Sequence, residues 1–137
     1  MTGTVLLAAA VLLTVAVGLV LQRRQGRVRD VSGENLRPEL AALGVAAGER
    51  ATLLQFSSAF CAPCRATRRT LTEVAAMVEG VAHVEVDAEQ HLELVRRLGI
   101  LKTPTTLVLD ADGVEVLRAS GQPRKADVLA ALGRAVA

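Results

Sequence analysis

Hydrophobic and polar positions follow different periods along this chain, and the changes of period divide it. Thr2 to Leu21, TGTVLLAAAVLLTVAVGLVL, carries no charge. As a helix, such a run rises about 30 Å, the thickness of the hydrocarbon layer of a bilayer. An uncharged stretch of this length is rare inside a small domain. Residues 1–21 therefore read as a membrane anchor rather than a buried core helix. A cleaved leader would need a positive segment before the run and small residues at a cleavage site after it. Only Met1 precedes it, and QRRQGR follows. Residues 22–35 are polar and carry Arg23, Arg24, Arg27 and Arg29. They read as a basic juxtamembrane linker. Residues 36–137 remain for one domain, long enough to bury a core without metal or disulfide support.

Within that domain the periods alternate. Leu36, Leu40 and Leu43 recur at helical spacing before Gly44 and predict a short helix. ATLLQF, Ala51 to Phe56, suits a strand buried on both faces, with Gln55 its one polar side chain of any size. From Cys61 the period becomes helical: Cys64, Leu71, Val74, Ala75 and Val78 share a face, and Gly80 is a natural stop. VAHVEV, Val81 to Val86, alternates like a strand. Asp87 with Gln90 resembles a capping box for a helix running to Leu98. Asp112-Gly113 supplies a hairpin turn between Thr105–Leu109 and Val114–Ala119. A last helix from about Lys125 carries Val128, Leu129, Leu132 and Val136 on its apolar side. The order strand, helix, strand, helix, strand, strand, helix predicts an α/β sandwich with a mixed sheet.

Composition changes the picture in two places. The chain is 51% hydrophobic but has no Trp or Tyr and two Phe, so Leu, Val and Ala must build the core. The net charge of +2 is small, and no aromatic residues interleave with the basic ones. Both facts argue against nucleic acid as a partner. Two cysteines are too few for a disulfide scaffold.

Those cysteines, Cys61 and Cys64, stand in SSAFCAPCRATRR, just after a predicted strand and at the start of a predicted helix. The unpaired N–H groups and dipole at a helix N-terminus favour a thiolate over a thiol. Arg65 and Arg68 add positive charge. Pro63 fits the first turn, where its missing N–H costs nothing. Cys64 lies one turn further on, so the sulfurs can bond without unfolding. One thiol can attack an external disulfide and the other can resolve the mixed disulfide. A structural zinc site would need four ligands, and His83 and His91 have no ligand-like spacing to the cysteines. Both histidines read as solvated. No metal site or cofactor is expected, although a two-thiolate site for a soft ion such as Cu(I) is a third reading.

LLQFSSAFCAPCR, then VEVD, then GILKTPTTLVLDADG resembles the thioredoxin family from about Ala51 to Ala137. The resemblance implies a thioredoxin fold, with Cys61 as the exposed nucleophile and Cys64 as the buried resolving thiol. It implies a cis Thr103–Pro104 bond beside the sulfurs. It also implies that Phe60, Ala62, Pro63, Thr103 and Pro104 form the substrate-binding surface, with the backbone of Thr103 turned toward an extended client chain. The chain departs from the family pattern in four ways. Phe60 stands where relatives often have Trp, and Ala62 replaces a common Gly. Gln55 replaces a buried acid thought to help deprotonate the resolving thiol, and His83 stands where some relatives have Lys.

The expectation is a single-pass, membrane-anchored thiol–disulfide oxidoreductase acting on disulfides of client proteins. It would be recharged by an electron-donor reductase or a membrane thiol carrier. The alternative is a non-catalytic thioredoxin-like module that offers its groove to a membrane partner. Many anchored relatives of thioredoxin work outside the bacterial membrane, which favours an external domain. The arginines following the apolar run favour the cytoplasmic side by the positive-inside rule, and that is the side expected here.

Overall fold

A computed structural model describes residues 1–31 and 33–136. Helix α1, Thr2–Arg24, extends the apolar run by one turn. Arg23 and Arg24 in its last turn complement the negative end of the helix dipole. None of its residues is buried against the rest of the chain, and it is long and apolar enough to cross a membrane.

The stretch expected as a linker holds a strand. β1, Val28–Asp30, pairs antiparallel with the last strand, placing Val28 opposite Ala119 and Asp30 opposite Leu117. Three residues are too few to display alternation, and the surrounding arginines mask the signal. α2, Arg37–Ala42, follows with Pro38 in its first turn. Next come β2, Ala51–Ser57; α3, Ala62–Met77; β3, Val81–Asp87; α4, Leu92–Arg97; β4, Thr105–Asp110; β5, Glu115–Ser120; and α5, Lys125–Ala135. The helix expected from Asp87 to Leu98 is divided. A 3-10 turn spans Ala88–Gln90, and α4 begins only after His91. Asp87 caps that turn by accepting from the Glu89 N–H at 2.9 Å, which fits its short reach better than a full α-helical start.

The sheet order is β1-β5-β4-β2-β3, with β2 and β3 parallel and all other neighbours antiparallel. Because side chains alternate across a strand, the sheet divides the core into two layers. Leu54 and Phe56 of β2 join Val84, Val86, Leu107 and Leu109 beneath α2 and α4. Ala51 and Leu53 point the other way, toward Leu71 and Val74 of α3 and Val128 and Leu132 of α5. β2 is central and buried along its whole length. Its C-terminal end is where the parallel β2–α3–β3 crossover begins, and that end carries the cysteines.

Candidate active site

Cys61 is the N-cap of α3, and its sulfur accepts the Cys64 N–H at 3.2 Å. The two cysteines are bonded as a disulfide, with their Cα atoms 5.2 Å apart. The cap arises locally: Cys61 keeps an extended backbone while Ala62 and Pro63 open the helix, and proline's fixed φ suits that first turn. Burial divides the pair. Cys64 is 1% exposed, whereas Cys61 is only half-buried and Ala62 and Pro63 are exposed. From solvent, the Cys61 sulfur is the accessible one of the two.

Two loops frame the pair. Phe60 is fully exposed, at 103%, and adopts φ 56°. The left-handed region is costly for a bulky residue, and here it aims an aromatic ring away from the core beside Cys61. Across from it, the Thr103–Pro104 bond is cis. The Thr103 and Ser58 hydroxyls hydrogen-bond at 2.7 Å, tying the Thr103–Pro104 loop to the loop that leads into Cys61. Glu89 braces the same loop by accepting the Ala59 N–H at 3.2 Å. The structure thus gathers Phe60, Cys61, Ala62, Pro63, Cys64, Thr103 and Pro104 at one end of the sheet.

Beneath the disulfide lies a polar network whose partners are spread along the sequence. Gln55 is 0% exposed. Its Nε2 donates to the Cys64 carbonyl and to Ser57 Oγ, each at 2.9 Å. Its Oε1 is thereby left to accept, and His83 Nε2 donates to it at 2.9 Å. This hydrogen bond assigns a proton to Nε2, so a neutral His83 leaves Nδ1 unprotonated toward the Thr72 hydroxyl, 3.4 Å away. His83 is therefore not the solvated residue expected. Burial, above all, lowers its pKa below the usual histidine value. Glu85 works against the shift, and Arg68 adds to it. Glu85 is itself held by a two-pronged contact with Arg68, both distances 2.7 Å. The strand register contains the signal that could have found this network. Gln55 pairs with Glu85, and Leu53 pairs with His83, so Gln55, His83 and Glu85 share the face that α3 covers.

A family model for a thioredoxin-like domain matches residues 41–136. The chain belongs to the thioredoxin-like family. Its fold is close to that of chloroplastic thioredoxin z, with a TM-score of 0.59 and 25% identity, covering 79% of this chain and 93% of that one. Spinach chloroplast thioredoxin f gives a TM-score of 0.60 at 23% identity, covering 83% and 97%. Among curated proteins, human thioredoxin domain-containing protein 2 is 39% identical over 59 residues, which are 43% of this chain and 11% of that protein. The match thus spans about a tenth of that relative's length. In this thioredoxin-like domain, the fold and the bonded Cys61–Cys64 pair support thiol–disulfide oxidoreductase chemistry.

Proposed function

We propose that the protein is a membrane-anchored thioredoxin-like enzyme that reduces or exchanges disulfides in client proteins. The observation carrying this reading is the asymmetric pair: a half-buried Cys61 capping α3, bonded to a Cys64 sealed beneath it. In the dithiol form, the Cys61 thiolate attacks one sulfur of a client disulfide. The client S–S bond breaks, one client sulfur leaves as a thiolate, and a mixed disulfide forms. Cys64, deprotonated, then attacks the Cys61 sulfur. The second client thiolate leaves, two electrons have passed to the client, and the Cys61–Cys64 disulfide remains. A dithiol donor, a reductase or a membrane thiol carrier, must return those electrons. Phe60 with Ala62 and Pro63 of the first turn of α3 on one side, and Thr103 and Pro104 on the other, supply the surface that holds the client chain.

Gln55 cannot ionise, so it cannot take the Cys64 proton. It instead fixes the Cys64 carbonyl and the start of α3, and the proton leaves by another route. The apolar α1 followed by arginines supports an anchor with the domain on the cytoplasmic side. The full chain in detergent, with dithiothreitol as donor, should accelerate insulin reduction. Cys61→Ser should abolish the acceleration, and Cys64→Ser should accumulate mixed disulfides with clients. Wild-type rates no higher than dithiothreitol alone would leave the binding-module reading in its place. In intact cells, a membrane-impermeant maleimide should label neither cysteine, even after reduction, until lysis. Labelling before lysis would reverse the orientation.

A further inference from the structure

The end of α1 does not leave the domain as a loose tether. Gly26 is buried with φ 74°, and its N–H donates to the Ser120 carbonyl at 2.7 Å. A methyl group there would come within 1.9 Å of the Gln122 oxygen, so only glycine permits so close a seat. A Cβ on neighbouring Gly121 would lie 3.2 Å from the Gly26 nitrogen and 3.7 Å from the Lys102 ammonium. The foot of α1 is therefore docked beside the Lys102 loop, two residues before Pro104.

This junction opens a groove of about 620 Å³ lined by Arg24, Arg27, Arg29, Lys102 and Arg118, with Leu101 among its apolar residues. Among the described residues, no carboxylate lines it. Arg118 is neutralised by the buried Glu115, at 2.5 and 2.9 Å. Arg24, Arg27, Arg29 and Lys102 have no ion pair among the described residues. Converging cations without a counter-charge repel one another, and an anion among them relieves that repulsion. The depth of the groove selects the anion. Arg24 stands three residues beyond Leu21, the end of the uncharged run, or about 4.5 Å along the helix. That is the level of lipid headgroups when the run fills the hydrocarbon layer. Leu101, 96% exposed, gives the groove an apolar contact for the glycerol and upper acyl chain.

We propose that this groove binds the phosphodiester headgroup of an anionic phospholipid. The site rests on the reading of α1 as a retained anchor, and the two ideas separate experimentally. Carbonate-washed membranes should retain the full chain at its intact mass. Release or truncation would remove the anchor and, with it, the argument from depth. For the retained chain, native mass spectrometry from detergent micelles should show at least about tenfold more bound phosphatidylglycerol than phosphatidylcholine at equal concentration, given four unpaired cations near the surface. Arg27→Gln/Arg29→Gln/Lys102→Gln should bring the two lipids to parity, while Arg27→Lys/Arg29→Lys should keep the preference. Millimolar inorganic phosphate should not displace the lipid. Parity in the wild type, or an undiminished preference in the folded triple variant, overturns the headgroup site. Loss of the preference in the double lysine variant would overturn recognition by charge. Displacement by phosphate would make the groove a site for a soluble anion instead.

Discussion

The two layers of the core use the same sheet for different ends. Beneath α2 and α4, the buried face is apolar almost throughout: Leu36, Leu40, Leu54, Phe56, Leu107 and Leu109 pack together, and Thr52 at its margin accepts the Gly48 N–H. Beneath α3 and α5 the same strands present Ala51, Leu53 and Val108, but also Gln55 and Thr106, both buried and paired in register. Thr106 Oγ1 is without a hydrogen-bond partner among the described residues. A purely apolar layer tolerates no displacement without losing contacts. The mixed layer fixes the first turn of α3 by a few directed hydrogen bonds. Stability should therefore concentrate on one side of the sheet, and control of the sulfur chemistry on the other.

The harshest test of this division is Phe56→Ala. It empties the largest fully buried side chain of the apolar layer and should cost about 3–5 kcal/mol in urea unfolding. The exchange rate per folded molecule should hardly change. A parallel fall in that rate would erase the distinction between the layers.

Gln55→Asp attacks the other layer. The shorter acid cannot hold Ser57, His83 and the Cys64 carbonyl together, so about 1–3 kcal/mol of stability should be lost. A carboxylate there would also give Cys64 a proton acceptor, its own pKa raised by burial. Turnover should then rise where that group is ionised. Unchanged kinetics from pH 6 to 9 would remove Gln55 from the chemistry of the resolving thiol.

Smaller still is the effect of pH through His83. Its folded pKa is lowered, chiefly by burial, so between that value and the unfolded value of about 6.5 the unfolded chain binds more protons. The stability contribution is complete above the unfolded pKa and disappears as pH falls through the folded one. Urea midpoints measured from pH 7.5 to 5 should fall more steeply in the wild type than in His83→Gln. Parallel slopes would show that the Gln55–His83 contact carries no linkage.

Least of all for stability is Phe60→Ala. The ring is fully exposed, so melting should shift little, while KM for a protein disulfide rises severalfold and that for a small disulfide does not. Equal KM changes for both would deny Phe60 a role in holding the client chain.

Much of this arrangement was legible in the sequence, because β2, α3, β3, the hairpin and α5 each carry a sustained period or a turn signal. Gln55 stood out as a polar residue in an apolar strand. The remainder depends on contacts distant in sequence. β1 is only three residues long and is defined by its pairing with β5. The role of His83 became visible only with the register of two parallel strands, since nothing local distinguishes it from an ordinary surface histidine. The division at His91 reflects a cap that reaches two residues rather than three.

The close seating of Gly26 has one further consequence if α1 holds the protein in the bilayer, as proposed. A domain on a long flexible leash sweeps a hemisphere and meets soluble clients almost as a free protein would. Here three residues separate α1 from β1, and the first bend is already hydrogen-bonded to the sheet. A compact domain of about 100 residues has a radius of gyration of roughly 13 Å. The cysteine pair would then patrol a slab only one domain thick. Its encounters would be set by lateral diffusion in two dimensions, and any client must bring its disulfide within that height of the lipid surface.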